Sequence, residues 1–170
     1  GKDGAGIYVE GSNLFISNST ISNNSANSNG GGLYIDDTSA VTATNITLAL
    51  NIPGQDLYKE GELTLQNSII HTPDTPNCNL IVTPIISLGN NLTDDVSCGG
   101  LTQPNDEINV DVGLAPLADN GGNTLTHALL DGSPALDSGN AAVCAAAPVN
   151  NVDQRGIPRT IGASCDKGAF

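Results

Sequence analysis

The chain has 170 residues, 38% of them apolar but only 3% aromatic, with no Trp and no Met. That is one domain, or one domain with an appended cap, long enough to bury a real core, and small and β-branched side chains must build it, as in thin stacked layers. Its 18 acidic residues against 5 basic leave a net charge of −13. Such a surface repels nucleic-acid phosphates and anionic lipid, and no apolar run nears the roughly 20 residues of a membrane span, so neither partner is expected.

The chain opens on Gly4-Ala5-Gly6-Ile7-Tyr8-Val9, followed by Leu14-Phe15-Ile16-Ser17-Asn18. The two-part phrase returns as Gly30-Gly31-Gly32-Leu33-Tyr34-Ile35 with Val41-Thr42-Ala43-Thr44-Asn45, then as Asp56-Leu57-Tyr58 with Leu63-Thr64-Leu65-Gln66-Asn67. Its second half returns once more as Ile86-Ser87-Leu88-Gly89-Asn90, so the closing asparagines step by 27, 22 and 23 residues. A period in the twenties built of short alternating strands marks a solenoid.

Alternation sends Ile7 and Val9 to one face and Tyr8 to the other. Tyr8, Tyr34 and Tyr58 thereby form an outward ladder, able to stack on sugar rings or to contribute cross-strand packing. In the second strand Leu14, Ile16 and Asn18 share a face, as do Val41, Ala43 and Asn45. The expectation is an inward aliphatic stack closed by a ladder of Asn18, Asn45, Asn67 and Asn90, whose amides bond from coil to coil. A third short strand follows at Ile21, Leu48 and Ile69-Ile70. Equivalent strands stacked about 4.8 Å apart make an all-β parallel β-helix of about four coils over residues 1–100.

Pro73, Pro76 and Pro84 then interrupt pairing, while Cys78 and Cys98 bracket the fourth Asn-ended strand. Cys144 and Cys165 make a second couple; the two couples span 20 and 21 residues. Neither has zinc-site spacing, and the chain holds only 2 His. We read disulfides 78–98 and 144–165, with three connectivities formally open, each worth about 3 kcal/mol. They imply an oxidising, extracellular or cell-surface setting. From residue 101 the repeat ends, and a proline-punctuated, loop-rich region to residue 170 is expected to cap the last coil.

These residues resemble a known family. The repeats, with Asn18-Ser19-Thr20-Ile21, look like those of bacterial polymorphic outer-membrane-type and pectate-lyase-like right-handed β-helices. Ser87-Leu88-Gly89-Asn90-Asn91-Leu92, Leu114 to Gly122, Gly132-Ser133-Pro134-Ala135-Leu136-Asp137-Ser138-Gly139, Asp153-Gln154-Arg155-Gly156 and Cys165-Asp166-Lys167-Gly168-Ala169-Phe170 resemble the choice-of-anchor Q domain of secreted prokaryotic surface proteins. The resemblance implies a secreted or surface-exposed right-handed β-helix and no defined reaction. Members are usually longer, with more coils upstream and sometimes an anchor downstream.

Catalytic chemistry is thinly represented. Asp36, Asp37, Asp56, Glu60 and Glu62 have only Lys2 and Lys59 for company in the repeats, poor equipment for deprotonating a polyuronate, and we read them as a solvated face. No cofactor is expected beyond a conceivable Ca²⁺ at Asp94-Asp95 or at Asp106-Glu107 with Asp111, where hard-cation oxygens cluster. Arg155 and Arg159, with Asp137, Asp153 and Asp166, read as a buried or half-buried ion-pair network; a catalytic arginine is the sharper alternative. His127 reads as structural and His71 as a loop residue. Sequons occur at Asn18, Asn23, Asn45 and Asn91, and Asn23 and Asn91, in turns, are the candidates for glycosylation.

The first coil exposes an unpaired edge formed by Gly4, Gly6, Ile7, Val9, Leu14 and Ile16. Such an edge needs cover, from upstream coils or from another copy stacked head to tail, which would build a filament. The expected function is therefore an extracellular structural or adhesive module without enzymatic activity. A carbohydrate-binding or polysaccharide-degrading β-helix is the competing expectation, requiring a groove that combines carboxylates with Arg or Lys.

Overall fold

The computed structural model describes residues 6–27, 29–52, 54–159 and 162–170. In chain order the elements are β1 (Ile7–Val9), β2 (Asn13–Ser22), β3 (Leu33–Ile35), β4 (Ala40–Ala49), β5 (Leu57–Lys59), β6 (Glu62–Gln66), β7 (Ile69–His71), β8 (Cys78–Leu80), β9 (Ile86–Ser87), β10 (Leu92–Thr93), β11 (Leu114–Ala118), β12 (Thr126–Leu129) and the short helix α1 (Ala141–Ala145). Each strand of the repeats pairs in parallel with its own equivalent one coil later. β1-β3-β5-β8 form one sheet. In the second sheet β2 lies on β4, whose first half carries β6 and then β9, and whose second half carries β7 and then β10. The result is a parallel β-solenoid of about four turns.

The alternation read in the sequence sets the faces. Ile7, Leu33 and Leu57 are in register, as are Tyr8, Tyr34 and Tyr58, and Val41, Ala43, Leu63 and Leu65 are buried in one continuous interior. Asn18, Asn45, Asn67 and Asn90 all take left-handed backbone, with φ of 45, 52, 51 and 59°. Asn tolerates that conformation better than other side-chain-bearing residues, and it lets the chain turn a corner between two strand segments. The run Gly30-Gly31-Gly32 answers to close approach: a Cβ on Gly32 would lie 2.6 Å from the Asp56 carbonyl oxygen of the next coil.

The fourth coil departs from the expected register. Thr64 pairs with Ile86 and Leu65 with Ser87, so Ile86 and Leu88, aligned by sequence with Leu63 and Leu65, are 48% and 52% exposed. Ile85 takes the inward place instead. The extra residue is absorbed before Asn90, where Gly89 has φ of 94°.

Both disulfides form as read, Cys78–Cys98 on the fourth coil and Cys144–Cys165 in the C-terminal region. The end of the solenoid is closed by the chain just beyond Cys98: Leu101 joins the interior, and Leu92 bridges in parallel to Glu107. The remaining C-terminal region, with its antiparallel β11–β12 hairpin and an α1 capped by the Asn140 side chain, is not the end cap expected. It runs along the flank of the solenoid and contacts every coil. Ile69 and Leu92, on the outer face of β7 and β10, pack against Val112 and Ala135. Ser22 Oγ donates to His127 Nε2 (2.8 Å), whose Nδ1–H donates to the Ala115 carbonyl (2.7 Å). Burial pushes the His127 pKa down, so this imidazole is a neutral latch between β2 and β12.

Candidate functional site

The asparagine ladder is buried at Asn45, Asn67 and Asn90 and half-buried at Asn18, but turned the other way from the expectation. Asn45 and Asn67 are fully buried and joined by Asn67 Nδ2 donating to Asn45 Oδ1 (3.4 Å). Their remaining partners, however, belong to the C-terminal flank. Asn67 receives the Asn140 N–H (3.0 Å) and donates to its carbonyl (3.3 Å), Asn45 donates to the Gly168 carbonyl (3.3 Å), and Asn90 to that of Ser138 (2.8 Å). Asn18 donates to the Val152 carbonyl (2.9 Å) and accepts from Arg159 (2.8 Å). The left-handed corner swings each amide outward, and the flank supplies what neighbouring coils would otherwise have to.

A second polar ladder lies at the turns that follow β2, β4 and β7. Asn24 donates to Asn51 Oδ1 (2.9 Å), Asn51 to Asp56 (2.7 Å), and Thr72 to Asp56 (2.6 Å). Asn77 accepts the Thr72 N–H (2.7 Å) and donates to Thr93 (2.8 Å). Asn24, Asn51 and Asn77 recur with the period of the coils, a signal present in the sequence and overlooked there. Asp56 is therefore not part of a solvated face. It is fully buried, and burial pushes its pKa up to about 6 despite the Thr72 and Asn51 hydrogen bonds.

The arginine cluster is only partly an ion-pair network. Arg155 grips Asp153 through Nε (2.8 Å) and Nη2 (2.6 Å) and stacks on the Phe170 ring, 3.4 Å from its centroid. Arg159 instead collects carbonyls, those of Val152, Gly168 and Phe170, at 3.0–3.2 Å. Burial lowers its pKa to about 10, against the fields of Asp153 and Asp166. Asp137 and Asp166 serve backbone N–H groups, of Ser164 (3.1 Å) and Asp137 (2.6 Å) respectively, and burial raises the Asp166 pKa. The cavity beside both arginines is about 50 Å³, room for a water or two and not for a substrate.

The carboxylates considered for Ca²⁺ are committed to turns. Asp94 holds His71 (2.9 Å) and Asn77; burial works to raise its pKa, but these partners outweigh it and keep it below the ordinary range. Asp95 takes the Asn77 N–H and Ser97, Asp106 takes Ser87, Gln103 and Asn91, and Asp111 takes the Gly113 N–H. No metal-type group of three or more such side chains exists among the described residues. His71 closes β7 and is not a loop residue. Two lysines are fully buried: Lys59 donates to the Thr83 carbonyl and hydroxyl (both 2.8 Å), and Lys167 to Glu107 (2.6 Å) and the Asn105 carbonyl (3.0 Å).

Of the two glycosylation candidates, Asn91 is fully buried, donating to the Leu65 carbonyl (3.2 Å), and only Asn23 is exposed. The tyrosine ladder is real. Ring centroids lie 4.7 and 4.8 Å apart with interplanar angles of 18 and 14°, so the rings spend their faces on each other. Tyr34 and Tyr58 are 9% exposed and Tyr8 38%; a sugar platform would need faces that the stack has covered.

The edge expected to associate is formed by β1 and β2. Among the described residues these strands pair only with β3 and β4. Ile7, Leu14 and Ile16 are half-buried, Val9 is buried, and a Cβ on Gly6 would meet the Gly32 carbonyl; Gly4 lies outside the described residues. No described helix is long and apolar enough to cross a membrane. Compared with family models, curated proteins and solved structures, the chain matches none.

Proposed function

We propose that this chain is an extracellular or cell-surface structural module, an adhesive length of β-solenoid that is not an enzyme and that extends by stacking a further parallel rung on β1 and β2. The observation that carries the reading is that, among the described residues, those strands pair with β3 and β4 alone, beside a tyrosine stack whose 4.7–4.8 Å spacing is the repeat of parallel strands. The disulfides fit an oxidising compartment, and the motif resemblance to choice-of-anchor Q surface proteins points the same way. The added rung comes from preceding coils of a longer chain or from a second copy; the second source gives a head-to-tail contact that does not close.

Light scattering after size exclusion, over a wide concentration range, separates the two. Filaments or concentration-dependent oligomers, abolished by Ile16→Lys with the fold intact by circular dichroism, support stacking of copies. Compact monomers at every concentration remove self-assembly from the proposal.

A further inference from the structure

The outer face of β2, β4, β6 and β9 is in continuous register and almost free of charge. Alternation and register place Phe15, Thr42, Thr64 and Ile86 in one row across the coils. Ser17, Thr44 and Gln66 form the next row, and Asn13, Ala40 and Glu62 the outer one. Glu62 is the single ionisable side chain among these ten, on a chain with 18 acidic residues and a net charge of −13. Phe15 is 78% exposed, and Ile86 and Leu88 are about half exposed at the other end of the same face. Along one side, Thr44 and Gln66 become the floor of a groove of about 330 Å³ walled by Val143, Pro148 and Val149. Residues 140–149 of that wall carry no ionisable charge either.

We propose that this face is a docking surface for an extended neutral polysaccharide, lying along the solenoid axis with Phe15 under one sugar ring. The proposal deepens the adhesive part of the reading above by naming what is adhered to, and rests on that part only. Three features select this partner. An uncharged strip on an acidic molecule leaves a neutral polymer unrepelled, whereas a polyuronate meets the field of the whole chain. The hydroxyls of Ser17, Thr42, Thr44 and Thr64 and the amide of Gln66 offer donors and acceptors together, as a polyol requires. The aromatic and aliphatic ends match the C–H faces of sugar rings, with rungs about 4.8 Å apart giving an even track for a ribbon-like chain. Phe15 differs in this from the tyrosines, whose faces are stacked on one another.

The test is depletion from solution by microcrystalline cellulose and by chitin, with polygalacturonate gel as the anionic comparison, at low and high salt. Wild-type protein should bind a neutral polymer with little salt dependence. Phe15→Ala should weaken that binding about tenfold, the loss expected of one aromatic contact. Thr64→Glu, at a half-buried position on the outward strand face, should reduce it to background with melting temperature and oligomeric state unchanged. Absence of binding to both neutral polymers overturns the proposal, as does retention on polygalacturonate alone or binding indifferent to both substitutions. A monomer that binds cellulose sinks the stacking of copies and leaves this inference standing; an oligomer that binds neither polymer does the reverse.

Discussion

Asp56 sits between coils with three hydrogen-bond donors and, among the described residues, no ion-pair partner, and its raised pKa is a stability statement. A carboxyl that holds its proton up to about pH 6 when folded, against about 4 when unfolded, contributes stability that is complete below pH 4. That contribution is lost as pH rises through 6, a loss of roughly 3 kcal/mol at neutral pH. His127, with its pKa depressed by burial, has the opposite sign: its contribution is present above the unfolded pKa and fades on acidification. Asp56→Asn keeps an acceptor for Asn51 and removes the titration. The melting temperature of wild type relative to this variant should therefore climb as pH falls from 7.5 to 4.5; a constant difference would show that Asp56 titrates normally. At this scale the sequence misled for a plain reason. Asp56 and Lys59 look like surface charges in any composition count, and only the turn that brings Asn51 and Thr72 onto the carboxylate, or the Thr83 loop onto the ammonium, takes them out of water.

The elements were read best where one side-chain pattern decides them. Period-two alternation placed Ile7, Val9, Val41 and Ala43, and the tyrosines, on their observed faces, because a strand offers only two choices. It failed at the fourth coil, where a one-residue slip flips every side chain and nothing in Ile86-Ser87-Leu88 reveals the residue absorbed at Gly89. It also could not say that the asparagine corners face a flank contributed from 48 to 141 residues away. That flank is sensitive at Gly168, whose N–H reaches the Asn67 carbonyl (2.7 Å) and whose φ is 86°. A Cβ there would lie 2.7 Å from Ile69 Cδ1 and 2.8 Å from Thr47 Oγ1. Gly168→Ala should cost about 2 kcal/mol and open residues 138–168 to limited proteolysis while the coils stay resistant. Equal resistance of the two regions would mean that the flank is not held at this point.

At the scale of the molecule, the solenoid and both cysteine pairings were legible because repeats and spacing are properties of the chain alone. Function was not, since the roles proposed above depend on partners at the edge of β1 and β2 and across the uncharged face, which no repeat or spacing encodes. Stability is distributed along one axis: each coil buries its layer on its neighbours, and the flank ties all four together through Asn18, Asn45, Asn67 and Asn90. In such a quasi-one-dimensional fold the terminal rungs open first, so partner binding at an end should register as local protection. The most direct measurement is amide hydrogen exchange of residues 7–22 at low and high protein concentration. Stacking of a second copy predicts slower exchange of β2 with rising concentration while β4 and β6 hold constant. Exchange of β2 that is identical at every concentration would contradict it.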